Sequence, residues 1–281
     1  MKPELCAPLS LTRKIEDFPI GNVAVRDHQQ TVLAAGGLAG KLSFHPHAWL
    51  ESTDLEQLAS SHRMTLIDKN GSALVWRGDA PDMQSVLEAA MSFEIRHPWD
   101  LLRANEQFVA SSDDWKVEGD VHPAAVIEGN VRLGMGSRIL PGVFIEGRVI
   151  IGENCKIGPN CYLRGNTSIG NSCHIGQSVE IKNCLILSGT NVGHLSYVGD
   201  SILGEKVNFG AGTTVSNLRH DGTNHTSAVD GELIDTGRRK FGTVVGDGVH
   251  TGINTSIYPG RKLWPGTSTL PGAIVRKDII S

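Results

Sequence analysis

From Ile127 to Leu187 an isoleucine or leucine stands at every sixth position: Ile127, Leu133, Ile139, Ile145, Ile151, Ile157, Leu163, Ile169, Ile175, Ile181 and Leu187. After an interruption the step returns at Val245, Thr251, Ile257, Leu263, Thr269 and Val275. An amphipathic helix repeats every 3.6 residues and a half-buried strand every two, so neither calls for a period of six. A parallel β-helix does, because three hexapeptides close one triangular coil and the aliphatic of each points inward. Residues 18 apart then lie above one another at β-sheet spacing, about 4.8 Å. The pattern therefore predicts a mainly β chain with a hexapeptide β-helix over 119–281. After Leu187 the register slips, and the next inward residues are read as Val192, Val198, Leu203, Phe209 and Val215.

Residues 1–95 lack this period and are expected to form a small α+β domain. Apolar runs over 21–26 and 72–77 suggest strands. The segments 53–62 and 82–91 have helical spacing, with Thr53 and Asp82 in N-cap position. Residues 96–118 are expected to link the two parts through a helix that starts at Pro98. The stretch 217–242 is polar and breaks the hexads, so it is expected to leave the solenoid at a corner as a long functional loop.

Composition narrows the function. The net charge of −4 provides no basic field for nucleic acid. No run approaches the roughly 20 apolar residues that span a bilayer, and the first ten residues lack the apolar core of an export signal. No nucleic-acid or membrane partner is expected, and the compartment is read as cytoplasmic. Cys155, Cys161 and Cys173 each follow an inward aliphatic by four, in a column otherwise held by Val, Ser and Thr. They read as small fillers, and with no C-x-x-C present, neither a zinc ribbon nor a disulfide framework is expected.

The register also places polar side chains. Arg164 lies directly below Lys182, both one residue past an inward aliphatic and hence outward. Two cations at coil spacing can grip a phosphate; alternatively Arg164 pairs with Glu146, one coil away, as a surface ladder. Within the slipped segment, G-H-L-S-Y-V-G-D (193–200) carries His194, whose imidazole suits proton transfer near neutral pH.

The runs S-V-E-I-K-N (178–183), G-H-L-S-Y-V-G-D-S-I-L-G (193–204) and V-N-F-G-A-G-T-T-V-S-N (207–217) resemble the acetyltransferase domain of the bifunctional bacterial enzyme family that makes UDP-N-acetylglucosamine. The resemblance covers roughly 119–277. It implies a left-handed parallel β-helix, a homotrimer with sites between subunits, and transfer of acetyl from acetyl-CoA, a cosubstrate, to an amino-sugar 1-phosphate without a metal. Carried over residue by residue, His194 is the general base and Glu180 supports its imidazole. Arg164, Lys182, Tyr197 and Asn208 hold the sugar 1-phosphate. Ala211 and Asn217 lie near the thioester.

The chain departs from the family in places. N-L-R-H-D-G (217–222) puts Leu218 where a Tyr is usual, and Ile253 replaces a Ser that helps to bind coenzyme A. The run T-G-R-R-K-F-G (236–242) resembles a related group of sugar-1-phosphate nucleotidyltransferases with the same β-helix, so Arg238, Arg239 and Lys240 could reach phosphates of substrate or coenzyme, or form a solvated basic turn. L-A-A-G-G-L-A-G-K-L (33–42) has neither the Arg nor the Pro-Lys that a nucleotidyltransferase uses on a triphosphate, and it is not a Walker loop. The N-terminal part is therefore read as a recast nucleotidyltransferase-like unit without uridylyl transfer. Nucleotidyl transfer onto a sugar 1-phosphate stays open as an alternative, and so do two others. One is a zinc site of the γ-carbonic anhydrase kind using His220 and His225. The other is a trimeric sugar-phosphate-binding or regulatory subunit related to the nucleotidyltransferases but without catalysis.

Overall fold

The computed structural model describes residues 3–38 and 40–281. Contacts divide the chain into two units. One comprises Arg13–Pro19 and Val23–Arg96; the other takes the segment ending at Thr12, Ile20–Asn22 and His97–Ser281.

The larger unit is a left-handed parallel β-helix with three faces. On the first face Ile127, Ile145, Leu163, Ile181 and Val198 stack in register, and Val215, Ile257 and Val275 continue the column. Leu133, Ile151, Ile169, Ile186, Leu203, Val245 and Leu263 line the second. Val121, Ile139, Ile157, Ile175, Val192 and Phe209 line the third. Nearly all are fully buried, and burying each aliphatic contributes on the order of 1.5–3 kcal/mol. The corners are filled by small residues. Cys155, Cys161, Cys173 and Cys184 are buried free thiols there, as the spacing predicted for the first three. Polar members of the interior are satisfied: Thr251 Oγ1 lies 2.8 Å from Thr213 Oγ1 and accepts from the Gly210 N–H at 3.0 Å.

The slip falls one hexad earlier than the sequence suggests. Ile186, rather than Leu187, is the partner of Ile169, so Ile181 and Ile186 are five apart. Val198 and Leu203 repeat the shortening in the next coil. Both shortened steps sit at the corner between the first and second faces. There Asn183 and Asp200 adopt left-handed backbone (φ 53° and 50°), where the coils below have Gly129, Gly147 and Gly165. Asn and Asp tolerate this region better than other side chains, though not freely. One coil further on, residues 217–242 leave from the same corner. Within this arm Thr226–Val229 and Glu232–Asp235 form an antiparallel hairpin. Ser227 Oγ donates to Gly260 O at 3.1 Å and the buried Lys262 Nζ to Ala228 O at 2.7 Å.

The linking helix spans Pro98–Ser111, with Asp100 Oδ2 accepting from the His97 N–H at 2.8 Å. It belongs to the β-helix unit, where Asn105 Nδ2 donates to Asn166 O at 3.2 Å and Asn22 Nδ2 to Ile169 O at 2.9 Å.

The smaller unit contains α1 (Val25–Ala35), α2 (Ser52–Ser60) and a four-stranded sheet. The strand expected over 21–26 stops after Val23–Ala24, because α1 begins at Val25. The helix expected over 82–91 does not form. Asp82 instead closes a turn, its Oδ1 accepting from the Gln84 N–H at 2.9 Å, and Val86–Glu88 pairs in parallel with Thr65–Ile67. The following backbone is claimed by Asp54 of α2, whose carboxylate accepts N–H bonds from Ala90, Met91 and Ser92 at 2.9, 3.0 and 2.6 Å. Tertiary pairing thus overrides helical spacing. Among the described residues no helix is long and apolar enough to cross a membrane.

Candidate functional site

The shortened corner gathers a polar cluster. Asp200, 3% exposed, accepts from Lys182 Nζ at 2.9 Å and Asn217 Nδ2 at 2.6 Å through Oδ2, and from Asn183 Nδ2 at 3.0 Å through Oδ1. Asn217 Nδ2 also reaches Tyr197 Oη at 3.0 Å. Burial pushes the Tyr197 phenol up. With Asn217 donating to its oxygen, the hydroxyl hydrogen remains to offer to a ligand. Glu106, from the linking helix, accepts from Asn183 at 2.6 Å and pairs with Arg238 of the arm.

The sequence-predicted residues fall into two groups on one chain. Arg164, Glu180, Lys182, Tyr197 and Asn217 share the first face and its corner. Arg164 and Lys182 are register partners, as are Glu180 and Tyr197. Arg164 is not free: its Nε and Nη2 donate to Glu180 Oε1 at 2.9 and 2.6 Å. The surface ladder imagined with Glu146 takes another form, since Glu146 receives the Tyr162 hydroxyl. The second group follows the other edge of the first face. His194 is exposed at the end of Asn191–His194, opposite Gln177, and its carbonyl accepts the Gly212 N–H at 3.1 Å. Ala211 is half-buried at this edge one coil up, while Asn208 is exposed on the third face as the partner of Asn191. The edge is apolar: Leu195 and Ile253 are 67% and 53% exposed. Lys240 is exposed at the root of the arm, bridged to Leu218. Arg238 is taken by Glu106, which leaves Arg239 and Lys240 outward.

Beside Asn217 a cavity of about 330 Å³ is lined by Ser216, Leu218, Arg219, His220, Asp221 and Tyr258. His220 and His225 do not converge. His225 is buried, with Nε2 donating to Asn217 O at 3.0 Å, and burial lowers its pKa. Among the described residues no three His, Cys, Asp or Glu side chains are grouped as a metal site requires.

Sequence reasoning missed Asp200, Asn183 and Glu106 as site residues. Asp200 stands inside the quoted G-H-L-S-Y-V-G-D run, and the short step from Val198 to Leu203 beside it is read from the sequence, whereas the step beside Asn183 is placed too late; neither step tells that the carboxylate is buried among Lys182, Asn183 and Asn217. Glu106 arrives from a helix outside the repeat, and no spacing rule connects it to Asn183.

Comparison with known proteins falls on the same region. Residues 145–263 match the family described as the GMPPB C-terminal domain. That stretch lies within the β-helix and includes the arm. A bifunctional sugar-1-phosphate nucleotidylyltransferase/acetyltransferase from Sulfurisphaera tokodaii is 45% identical over 51 residues, which is 18% of this chain and 13% of that protein. Among solved structures, PerB from Caulobacter crescentus, in complex with CoA and GDP-perosamine, is similar at 18% identity and a TM-score of 0.23, covering 53% of this chain and 51% of its own. The acetyltransferase domain of PglB from Neisseria gonorrhoeae is similar at 14% identity and a TM-score of 0.24, covering 66% and 70%. Neither overlap is close enough to bear on chemistry.

Proposed function

We propose that the β-helix transfers the acetyl group of acetyl-CoA to the amine of an amino-sugar 1-phosphate, with His194 as general base. The amine nitrogen attacks the thioester carbonyl carbon, the C–S bond breaks, and coenzyme A leaves as the thiol. The amine proton passes to the His194 imidazole and from there to the departing sulfur. The contribution of such a base is about 10²–10⁴-fold. The observation that carries this reading is His194 itself, an exposed imidazole three residues before Tyr197, within a strand–corner–strand segment that adjoins the polar cluster. The short match to a protein named as an acetyltransferase points the same way.

In this reading the two cations differ in role. The Arg164–Glu180 pair is about one-third exposed on each side, so exchanging Glu180 for a substrate phosphate costs little. That exchange frees the carboxylate that is proposed to support His194. Lys182 keeps its buried partner and supplies a fixed donor. Asn208 completes the sugar site, and Ala211, Asn217 and Lys240 serve acetyl-CoA. The homotrimer is part of the proposal: the exposed Leu195 and Ile253 give the His194 edge an apolar surface for a second copy.

One observation favours a second reading. Leu218 and Ile253 are exposed beside the proposed coenzyme path, where the resembling family has Tyr and Ser. A sugar-phosphate-binding subunit without catalysis could tolerate both. Free-thiol release from acetyl-CoA, measured with a panel of amino-sugar 1-phosphates, separates the two. Acceptor-dependent release supports the acetyltransferase, calorimetric binding without release supports the second reading, and neither binding nor release defeats both.

A further inference from the structure

We infer that Asp200 is a positioning residue of this site: a buried carboxylate that sets Lys182 and Asn217 where each meets its substrate. The inference deepens the acetyltransferase reading and rests on it. The chain drops one residue from each of two consecutive coils at one corner, and Asn183 and Asp200 stand at that corner where three preceding coils have glycine. Left-handed Asn and Ser also turn other corners of the solenoid, as at Asn154, Asn160, Ser172 and Asn254; what sets this corner apart is that Asn183 and Asp200 bond to each other and draw in Lys182, Asn217 and Glu106.

The carboxylate is acceptor-only and faces donors alone: Lys182, Asn183 and Asn217. Those on its two flanks belong to different substrates in the proposed site, Lys182 to the sugar phosphate and Asn217 to the thioester. The arm holds the same residue through its main chain, the Gly242 N–H donating to the Asp200 backbone carbonyl at 2.9 Å. Asn183 also donates to Glu106, so the anchor is itself held by the linking helix. Because Lys182 is charge-matched by a group that solvent barely reaches, the ammonium cannot swing away when the site is empty. Both halves of the site are thereby ordered before either substrate arrives.

The test uses full-length protein and Asp200→Asn, which keeps the shape but turns an NH₂ toward the Asn donors. With the variant folded, KM for the sugar 1-phosphate and for acetyl-CoA should both rise about tenfold, with a smaller fall in kcat. Adding Asn217→Ala should raise the acetyl-CoA KM less than threefold beyond Asn217→Ala alone, because the two act as a unit. A purely structural Asp200 would lower the melting temperature while leaving both KM values of the folded fraction unchanged, and that result overturns the inference. If Asp200→Asn does not fold, Asn183→Gly serves instead, since glycine is what the coil below carries at Gly165. It removes one support of Asp200 and should raise both KM values about threefold; unchanged values overturn the inference. A wild type that neither binds nor turns over either substrate removes the acetyltransferase reading and this inference together, whereas an active wild type with unaltered variants removes this one alone.

Discussion

Gly176 lies directly beneath Gly193, the residue before His194, and a single methyl group there should reach the proposed base. A Cβ built on Gly176 would stand 1.9 Å from the Gly193 carbonyl oxygen, in backbone that has no side chain to move aside. Contacts shorter than 3.0 Å are essentially never seen for a Cβ, so the Asn191–His194 strand must retreat by about 1 Å or the coil must open. Overpacking of this kind costs about 1–3 kcal/mol, which for a domain of this size lowers Tm by roughly 2–12 °C. A displacement of about 1 Å in a catalytic group costs on the order of 100-fold in rate. Gly193→Ala is the matched control, because its added methyl meets nothing within 4 Å. Calorimetry and acetyl-CoA turnover on the two variants decide the matter. Gly176→Ala should lose stability and about 100-fold in kcat, while Gly193→Ala stays near wild type. Equal behaviour of the pair would show that coil stacking does not set the place of His194.

Three further outcomes follow from the burial pattern. Ile157 is fully buried in the solenoid, so Ile157→Ala should cost about 2–5 kcal/mol in a denaturant titration; a loss below 1 kcal/mol would mean that the aliphatic column is not the core. Burial lowers the pKa of His28, His47, His174 and His225. Between those depressed values and the free imidazole value of about 6.5 the unfolded chain binds more protons, so stability rises with pH across that window and is lost on acidification. Tm should fall from pH 7.5 to 5.5, and a flat or rising Tm contradicts the assignment. Burial pushes the Cys161 and Cys184 thiols up to about 12, so an aromatic disulfide reagent should modify them only at the rate of unfolding. Rapid reaction of both in native protein would deny their place in the interior.

The solenoid was legible because its period is enforced at every coil: an inward aliphatic such as Ile157 or Ile175 has no alternative orientation, so the sequence records it without ambiguity. Pro98 announced the linking helix for an equally local reason, its fixed φ. What stayed hidden was set by contacts distant in sequence. Asp54 holds the backbone of Ala90–Ser92 and converts a helix-like segment into strand and turn. The site divides along the same line. Arg164 above Glu146 and below Lys182 followed from register alone, yet the actual partners, Glu180 and Asp200, depend on side-chain reach and on a five-residue step. Glu106 and Arg238 meet across 132 positions of chain, a pairing that no local pattern encodes.

The imidazole of His194 is the group on which the proposed chemistry depends. Coenzyme A release by wild type and by His194→Ala should be followed at saturating acetyl-CoA, with amino-sugar 1-phosphates as acceptors and Tm as the check on folding. The prediction is acceptor-dependent turnover that falls by about 10²–10⁴-fold in the variant, at unchanged stability. Turnover undiminished in His194→Ala, or absent from both proteins across the panel, contradicts it.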